Sequence, residues 1–450
     1  MSNLNILQWL LMILLSAGMF WLSPKAVKVN DFFKGSKNEQ QPGFWILTSS
    51  LVISWLFAKS ITNAADLGHA FGFVGGLAYA AYYVSFLVAG GIIYQLRTIG
   101  GFESIHHFLR GKFGQKAVVL FTLLIAFRLF NEVWSNSMVI GSYFGESGSW
   151  PYYLAILLFT GLTLLYTMKG GMRSSLLTDL IQMLLFAVLL VVILGYIFPK
   201  TEGGILTLTK TGTWSLDQGL NLLLVAFLQC LSYPFHDPVM TDRGFIAEPK
   251  STLKAFIWAG VIGAACIVLF SYVGIFGKVN DLGKPVVPAV AGLFGLGMTL
   301  VINLIMITSA ASTIDSTFTS STKLIHLDLL QSRKLSIQAG RLTMFLVAVA
   351  GTLPVFLNPE ILSATTISGT MVLGLAPVFV LWKVKVPVAS FFLAIGAGIL
   401  SGLALVFGWI PQHLWLSQGK YADLLTANIY GSIAVFAGYL LPLIWHKTNE

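Results

Sequence analysis

Charged residues are scarce in this sequence. Asp, Glu, Lys and Arg make up 10% of its 450 residues, whereas an ordinary soluble domain has about 25%. Hydrophobic residues make up 56%, so a water-soluble fold of this size would lack the polar side chains needed to cover its surface. The composition therefore excludes a soluble globular protein and indicates a chain whose solvent is lipid.

Cysteine and histidine are also few. The two cysteines, Cys230 and Cys266, both fall inside apolar blocks, so the sequence predicts neither a disulfide framework nor a cysteine metal site. The seven histidines are scattered, and no clustered acids stand at a catalytic spacing, so an enzyme is not predicted. The net charge of +9 comes from short loops, not from a basic face with interleaved aromatic residues, and nucleic-acid binding is not expected.

Apolar residues recur in blocks of about 20, each long enough to cross a bilayer as a helix. The sequence predicts an all-α integral membrane protein with about thirteen transmembrane helices. We expect the spans at 4–23, 42–62, 71–96, 116–143, 150–168, 173–198, 219–240, 252–277, 289–324, 338–357, 360–382, 386–409 and 424–446. The first block lacks a preceding basic region and a small-residue cleavage site, which favours a retained span over a signal peptide.

The distribution of basic residues predicts the orientation. With thirteen spans, one set of alternate loops holds twenty Lys and Arg residues and the other set holds five, namely Lys200, Lys210, Lys278, Lys284 and Lys420. Because cytoplasmic loops are enriched in Lys and Arg, the N-terminus is expected outside and the C-terminus in the cytoplasm. The bacterial cytoplasmic membrane is the expected location, with lipid as the surrounding partner and no obligate protein partner evident.

The second span carries Lys59, Ser60 and Thr62 well inside its apolar block. One interpretation is a lysine whose ammonium reaches the outer interface along its methylene stem. The other is a discontinuous helix at a binding site, where freed backbone carbonyls coordinate a cation. The sequence alone leaves both open.

The fourth span carries Arg128 and Glu132 near its centre, four residues apart and so on one helical face. They form either an internal ion pair or a site at which Arg128 meets a carboxylate of a substrate, for which a guanidinium is well shaped.

The ninth block combines hydroxyls and a carboxylate between Thr308 and Thr322. Ser and Thr alone often bond back to the preceding helical turn or allow close helix packing. That explanation does not account for Asp315, and the hard oxygens of Ser309, Ser312, Thr313 and Asp315 suit a small alkali cation.

The sixth span places Asp179 about two turns into the membrane, with Gln182 one turn further. As a lone feature, Asp179 is an acid favoured by a helix N-terminus. Together with the ninth block, it suggests an ion exit route.

These residues resemble the sodium/solute symporter family. The run Tyr166-Thr-x-x-Gly-Gly through Thr178-Asp179-x-x-Gln182 is similar to its most recognisable signature, and Ala310-Ala-Ser-Thr-Ile-Asp-Ser316 is similar to a second one. The Asp242-Arg243 turn, followed by a basic stretch to Lys254, resembles the loop after that family's seventh span.

The resemblance implies a fold of the leucine-transporter type. Its core is two inverted repeats of five helices, spans two to six and seven to eleven, with solute and ions bound beside unwound middles of spans two and seven. One transmembrane domain would then cover 1–450: a first span and cytoplasmic loop (1–41), the ten-helix core (42–382) and two peripheral helices (383–450).

The resemblance also implies sodium as the coupling ion. Its main sodium site maps onto the backbone carbonyls of Ile53, Leu56 and Ser309 and the hydroxyls of Ser312 and Thr313. A further ion site or exit path of some members maps onto Asp179, Asp315 and Ser316 with Ser312. Asp315 stands where those members have a hydroxyl, which puts a second sodium ion in doubt.

The expected function is sodium-coupled symport of a small polar solute into the cell, the solute bearing a carboxylate or being zwitterionic. The family's solute cavity maps onto spans two, three, four and seven, specifically Trp55, Lys59, Ser60, Tyr82, Tyr83, Arg128, Phe235 and Asp237. The alternatives are a proton-coupled symporter that uses Lys59 and Asp315, and a membrane sensor that does not transport.

Overall fold

Helices make up all the regular structure that the computed structural model describes, which covers residues 3–36, 40–330, 335–357 and 368–447. Ten helices in these ranges are long and apolar enough to cross a bilayer. They are Asn5–Leu22, Phe73–Thr98, Ile105–Ser142, Trp150–Gly170, Met172–Lys200, Pro249–Val279, Leu296–Leu327, Ile337–Leu357, Val388–Val406 and Ala422–Ile444. The all-α membrane architecture is thereby confirmed.

The number of spans depends on how the broken and the shorter helices are counted. A bent pair, Phe44–Trp55 and Ala58–Phe71, counts as an eleventh span. Two shorter apolar helices, Leu216–Gln229 and Ser368–Val380, lie where the seventh and eleventh spans are predicted, although the start of the predicted 360–382 span falls outside the described residues. The figure of thirteen therefore stays a prediction.

The second span is broken in its middle. The helix Phe44–Trp55 ends at Leu56, Phe57 is extended, and Ala58–Phe71 continues at an angle of 59°. The amides of Ser60 and Ile61 both donate to the carbonyl of Phe57 and so start the second half. Since the last carbonyls of a helix have no partner within it, this break presents backbone oxygens inside the protein.

The seventh span is broken as well, and here the sequence explains the break. The helix Asn221–Gln229 is followed by a turn of 3₁₀ helix, Tyr233–His236, and by the short helix Pro238–Arg243. Pro234 and Pro238 lack the amide hydrogens that a continuous helix would need. The two interruptions fall in the first span of each predicted five-span repeat.

Two other predicted spans differ from the structure. The block 289–324 was expected as one helix, but Val286–Leu293 and Leu296–Lys323 are separate helices divided at Gly295, whose φ is +84°. The fourth helix begins at Ile105 instead of near 116, and its backbone is interrupted at Gly114 with φ +79°. A glycine adopts such positive φ values without the steric cost that other residues meet.

The helix Pro249–Val279 packs closely against the second half of the broken span, Ala58–Phe71. Gly274 permits this approach, because a Cβ at that position would overlap the backbone carbonyl of Ala65. The contact fixes Ala58–Phe71 and therefore fixes the direction of the chain after the break.

Gly274→Ala is expected to destabilise the protein by about 1–3 kcal/mol, since one extra methyl in a closely packed contact forces the helices apart. Gly195→Ala is the matched control, because Gly195 is exposed on a helix and a Cβ there meets nothing within 4 Å. The measurement is the midpoint of thermal unfolding in detergent. Equal midpoints for the two variants would contradict the packing argument.

Candidate functional site

Lys59 lies inside the protein, at the start of the second half of the broken span. Its ammonium group donates to Glu132 Oε1 at 3.0 Å, to Ser135 Oγ at 3.2 Å and to Asn131 Oδ1 at 3.3 Å. The side chain is 2% exposed. Lys59 therefore connects the second span to the fourth and does not extend to an aqueous interface.

Arg128 is the second buried cation of this region. Its Nη2 atom lies 3.0 Å from Glu132 Oε1 and 3.2 Å from Asp237 Oδ2, and its Nη1 donates to the hydroxyl of Tyr233 at 2.7 Å. The internal ion pair with Glu132 is therefore present. Asp237 comes from the break in the seventh span, where its other oxygen accepts from the amides of Val239 and Met240.

We call Lys59, Arg128, Glu132 and Asp237 the charged quartet. It joins the second, fourth and seventh spans and contains two cations and two anions, so it is neutral as a whole. Neutralisation of this kind is what allows ionised side chains to remain buried.

Aromatic side chains surround the charged quartet. The indole of Trp55 donates to Asp237 Oδ2 at 2.8 Å, and its ring meets that of Tyr233 edge to face at 5.6 Å. Tyr83 donates to the carbonyl of Trp55 at 2.8 Å. The ring of Tyr82 lies 6.1 Å from that of Tyr233.

Most of the residues predicted to bind solute are thus assembled around the breaks. Ser60 is connected to them through Tyr79, which donates to its hydroxyl at 3.1 Å, and Tyr82 donates to Gln229 Oε1 at 3.0 Å. Phe235 is the exception, since its ring stacks on Phe379 at 4.0 Å, within a separate aromatic group.

A cavity of about 10 Å³ adjoins the charged quartet, which is about the space that one water molecule requires. Its lining combines the second, fourth, seventh and ninth spans: Ser54, Arg128, Leu129, Glu132, Asp237, Pro238, Val239, Thr313 and Thr317. Thr313, a predicted sodium ligand, therefore lines the same cavity as Arg128 and Asp237, two of the residues predicted to bind solute.

The other predicted sodium ligands are also buried. Ile53 lies in the last turn before the break and Leu56 is the residue at the break. Ser312 donates to Asp179 Oδ1 at 2.6 Å, and Thr313 donates to the carbonyl of Ser309 at 3.1 Å.

The second and ninth spans, which carry the two halves of this ligand set, are in contact. The hydroxyl of Ser309 is buried without a hydrogen-bond partner, as is that of the neighbouring Thr308. Carbonyl and hydroxyl oxygens are the ligands that a hard alkali cation prefers. The donor set therefore fits sodium.

A second charged group lies on the other side of Ser312. Asp179 accepts from Ser50 at 2.6 Å and from Ser316 at 3.3 Å. Asp315 accepts from three hydroxyls, those of Tyr166, Ser175 and Thr178, each at 2.9 Å.

Arg243 completes this group, and its position corrects the interpretation of the sequence. The charge distribution predicts Arg243 in a cytoplasmic loop after the seventh span, but it ends the helix Pro238–Arg243 and is fully buried. We call Asp179, Asp315 and Arg243 the inner triad. The bend after Asp237 carries Arg243 inward, which the run of basic residues up to Lys254 does not reveal.

Several residues of the two groups were not assigned to a site from the sequence. Tyr166 and Thr178 belong to the signature that indicated the family, and Glu132 was noted as the partner of Arg128, so these carried a signal. Tyr233 lies two residues before Phe235, in the segment expected to line the solute cavity, whereas Ser175 carried no signal, because only the tertiary fold brings it to Asp315.

A wide cavity of about 1090 Å³ opens near the inner triad, at the end of the bundle where the basic loops lie. Its lining includes Arg97, Arg110, His107, Glu103 and Lys323. Lys323 pairs with Asp242 at 2.7 Å, next to Arg243.

Glu132→Gln is expected to destabilise the protein by about 3–5 kcal/mol, because two buried cations would then face a single carboxylate. Lys59→Met combined with Glu132→Gln restores neutrality, so the double variant should recover much of that loss. Thermal unfolding of the single and double variants in detergent measures both effects. If the double variant loses as much stability as Glu132→Gln and Lys59→Met lose together when measured separately, the two residues are not coupled.

The model of the sodium:solute symporter family matches residues 40–219. Sodium/glucose cotransporter 2 of Rattus norvegicus is 25% identical over 164 residues, 36% of this chain and 24% of that protein. Sodium/myo-inositol cotransporter 2 of Homo sapiens is 24% identical over 180 residues, 37% of this chain and 26% of that protein. The matches span about a quarter of the length of these curated relatives.

Solved structures extend the likeness to the whole chain. A Na⁺-coupled sialic acid symporter in a substrate-bound outward-open state superposes with a TM-score of 0.72 at 16% identity and covers 98% of both chains. A nucleobase-cation-symport-1 family transporter in a closed conformation has a TM-score of 0.57 at 13% identity and covers 94% of both chains. These structures share the fold. With the match over residues 40–219, they confirm that the chain resembles the sodium:solute symporter family.

Proposed function

We propose that this protein is a secondary active transporter that carries a small polar solute into the cell together with sodium, by alternating access. The observation that supports it best is the broken second span lying against the hydroxyl-rich ninth span. With this contact, backbone oxygens of the break and hydroxyls of the ninth span would face one buried place, which is the arrangement that transporters use for an alkali ion.

The sodium ion would be held by the carbonyls of Ile53, Leu56 and Ser309 and by the hydroxyls of Ser312 and Thr313. All five residues are at most 3% exposed, so these oxygens would replace most of the water around the ion. The unpartnered hydroxyls at Thr308 and Ser309 support an incoming cation, because buried oxygens without a partner are rare in a stable fold.

The solute would bind at the charged quartet and the aromatic residues beside it. Lys59 and Arg128 can bind a carboxylate, and Glu132 and Asp237 can bind an ammonium group, so a carboxylate-bearing or zwitterionic solute suits the site. Trp55, Ser60, Tyr82 and Tyr83 would complete the pocket, with Phe235 supporting the seventh-span break from behind.

Ion and solute would be coupled through the small cavity that lies between their two sets of residues. Thr313 faces it from the ninth span, and Arg128, Glu132 and Asp237 face it from the other side. Binding in one part orders residues in the other, so each occupant lowers the cost of binding the other.

We further propose that the chain lies in the plasma membrane of a bacterium with its N-terminus outside and its C-terminus in the cytoplasm. The division of basic residues between alternate loops supports this orientation. The wide cavity bordered by Arg97, Arg110 and Lys323 would then face the cytoplasm and serve as the exit path. The ten-helix core at 42–382 would carry transport, and the helices after 383 would be peripheral.

Sodium is expected to stabilise the purified protein against heat, while equal concentrations of potassium or choline chloride do not. A ligand at 100 times its dissociation constant adds about 2.7 kcal/mol. Thr313→Val should abolish most of this effect by removing a ligand hydroxyl. Thr322→Val is the matched control, since Thr322 lies on the same helix and, like Thr313, bonds back to the preceding turn. Equal sodium responses in the two variants would remove Thr313 from the site.

Uptake of the solute into proteoliposomes should require an inward sodium gradient. The solute can be found by screening amino acids, sugars, organic acids and amides for thermal stabilisation in sodium. For a solute with a carboxylate, Lys59→Ala and Arg128→Ala should each weaken binding, because each removes a cation near the site. Uptake that is equally fast in potassium with a pH gradient alone would favour proton coupling through Lys59 and Asp315. No uptake of any stabilising solute would favour a sensor.

A further inference from the structure

A pair of buried amide side chains joins the last helix to the seventh span. Asn428, in the helix Ala422–Lys447, accepts a hydrogen bond at its Oδ1 atom from Gln229 Nε2 at 2.9 Å. Gln229 is the last residue of the helix Asn221–Gln229, directly before the break in the seventh span. Both side chains are at most 1% exposed, so their amide groups need hydrogen-bond partners inside the protein.

The amide of Asn428 can take only one orientation. Its Nδ2 atom donates to the backbone carbonyl of Leu424 at 2.8 Å and to the hydroxyl of Thr370 at 3.1 Å. A backbone carbonyl only accepts hydrogen bonds, so the amino group of Asn428 must face Leu424 and its oxygen must face Gln229. Rotation of the amide by half a turn would place two oxygens against each other.

This orientation determines the hydrogen bond of Tyr82. Because the amino group of Gln229 faces Asn428, its Oε1 atom faces Tyr82, whose hydroxyl donates to it at 3.0 Å. A phenol has one hydroxyl hydrogen, so the oxygen of Tyr82 can then only accept from a further partner. Tyr82 is partly buried, and its ring lies 6.1 Å from that of Tyr233, beside the charged quartet.

A second contact keeps the two helices in register. Asn221 Nδ2 donates to the backbone carbonyl of Lys420 at 2.7 Å. Asn221 lies eight residues before Gln229, and Lys420 lies eight residues before Asn428. The two contacts therefore hold the segments side by side over about 12 Å, given a rise of about 1.5 Å per helical residue.

The end of the helix Asn221–Gln229 is also held by its other neighbours. The thiol of Cys230 donates to the backbone carbonyl of Ala81 at 3.3 Å, next to Tyr82. Gly369 lets the eleventh span approach, because a Cβ at that position would overlap Oε1 of Gln229. The Gln229 amide thus lies in a closely packed place where its orientation is set by its partners.

We propose that Asn428 is a positioning residue of the solute site, acting through Gln229 to keep the oxygen of Tyr82 as an acceptor for an O–H or N–H group of the solute. This inference rests on the proposed solute site. It adds a residue of the last helix, outside the proposed ten-helix core, and gives that residue no contact with the solute.

Fluorine NMR of the purified full-length protein in detergent tests the inference without any solute. Replacement of Tyr82 by 3-fluorotyrosine places the fluorine next to the hydroxyl, so its signal reports on the hydrogen bond to Gln229. The same label in place of Tyr83 is the control, because Tyr83 lies in the same turn but donates to the carbonyl of Trp55.

Asn428→Leu is of similar volume and should shift or broaden the signal at position 82 while the signal at 83 stays unchanged. Asn428→Asp should keep the wild-type signal, because a buried neutral acid can donate to Leu424 and accept from Gln229. Thr426→Val is the matched control on the same helix, since Thr426 donates to the preceding turn, and it should leave the signal at 82 unchanged.

A double variant keeps the test decisive if Asn428→Leu alone does not fold. Gln229→Leu combined with Asn428→Leu leaves neither amide without its partner. Its signal at position 82 should equal that of Gln229→Leu alone, because Asn428 acts through Gln229. A further change in the double variant would show that Asn428 acts by another route and would overturn the inference.

The effect on solute is measured with the standard L-amino acids as zwitterionic probes, by thermal stabilisation in sodium. For the amino acid that stabilises the wild type most, Asn428→Leu and Tyr82→Phe should each weaken binding about threefold to tenfold, the worth of one hydrogen bond. The two changes combined should weaken binding no more than Tyr82→Phe alone, whereas a merely structural loss at Asn428 would add to it.

The outcomes separate the inference from the proposed function. An unchanged signal at position 82 in Asn428→Leu, an equal change at 83, or unchanged amino-acid binding would overturn the inference and leave sodium-coupled transport in place. If no amino acid stabilises the wild type, an amino acid is not the solute, which counts against the proposed function, and the fluorine signals still decide the role of Asn428.

Discussion

A charged side chain in the middle of a bilayer stays ionised only when an opposite charge or several hydrogen bonds hold it, since lipid offers none. Lys59, Arg128 and Arg243 are all buried at this depth, and each is matched by carboxylates or hydroxyls from other spans. Because each cation has partners on other spans, it is neutralised only when those spans pack against its own. The breaks in the second and seventh spans follow from it, as they deliver Lys59, Asp237 and Arg243 to their partners.

The charged quartet and the inner triad differ in composition. The quartet pairs two cations with two acids, whereas the inner triad combines two acids with one guanidinium, and hydroxyls supply the hydrogen bonds of Asp315. Ser312 donates to Asp179 of the triad, and its neighbour Thr313 lines the cavity beside the quartet. The ninth span therefore contacts both groups.

The sequence predicted the parts of this arrangement that leave a local mark. A break in the second span was one of two alternatives that its polar residues left open, and the resemblance to the family implied unwound middles in the second and seventh spans. The spacing of Arg128 and Glu132 placed them on one helical face. What failed depended on distant contacts. Asp237 reaches Arg128 across 109 positions of the chain, and Arg243 looks like an ordinary loop residue until the helix Pro238–Arg243 turns it inward. The break at Gly295 was missed because a lone glycine also occurs within continuous membrane helices.

The ion pairs also constrain how the site can open. Lys59 and Asp237 belong to the broken spans, whereas Glu132 and Arg128 belong to the part of the fourth helix after Gly114. Movement of the broken spans away from that helix therefore separates both pairs at once. Separating one buried pair without a substitute partner costs about 3–5 kcal/mol, and the second pair adds to it. Water or a polar solute must therefore enter as the spans part, because only then do the four charges keep partners. The region therefore opens and becomes hydrated at the same time.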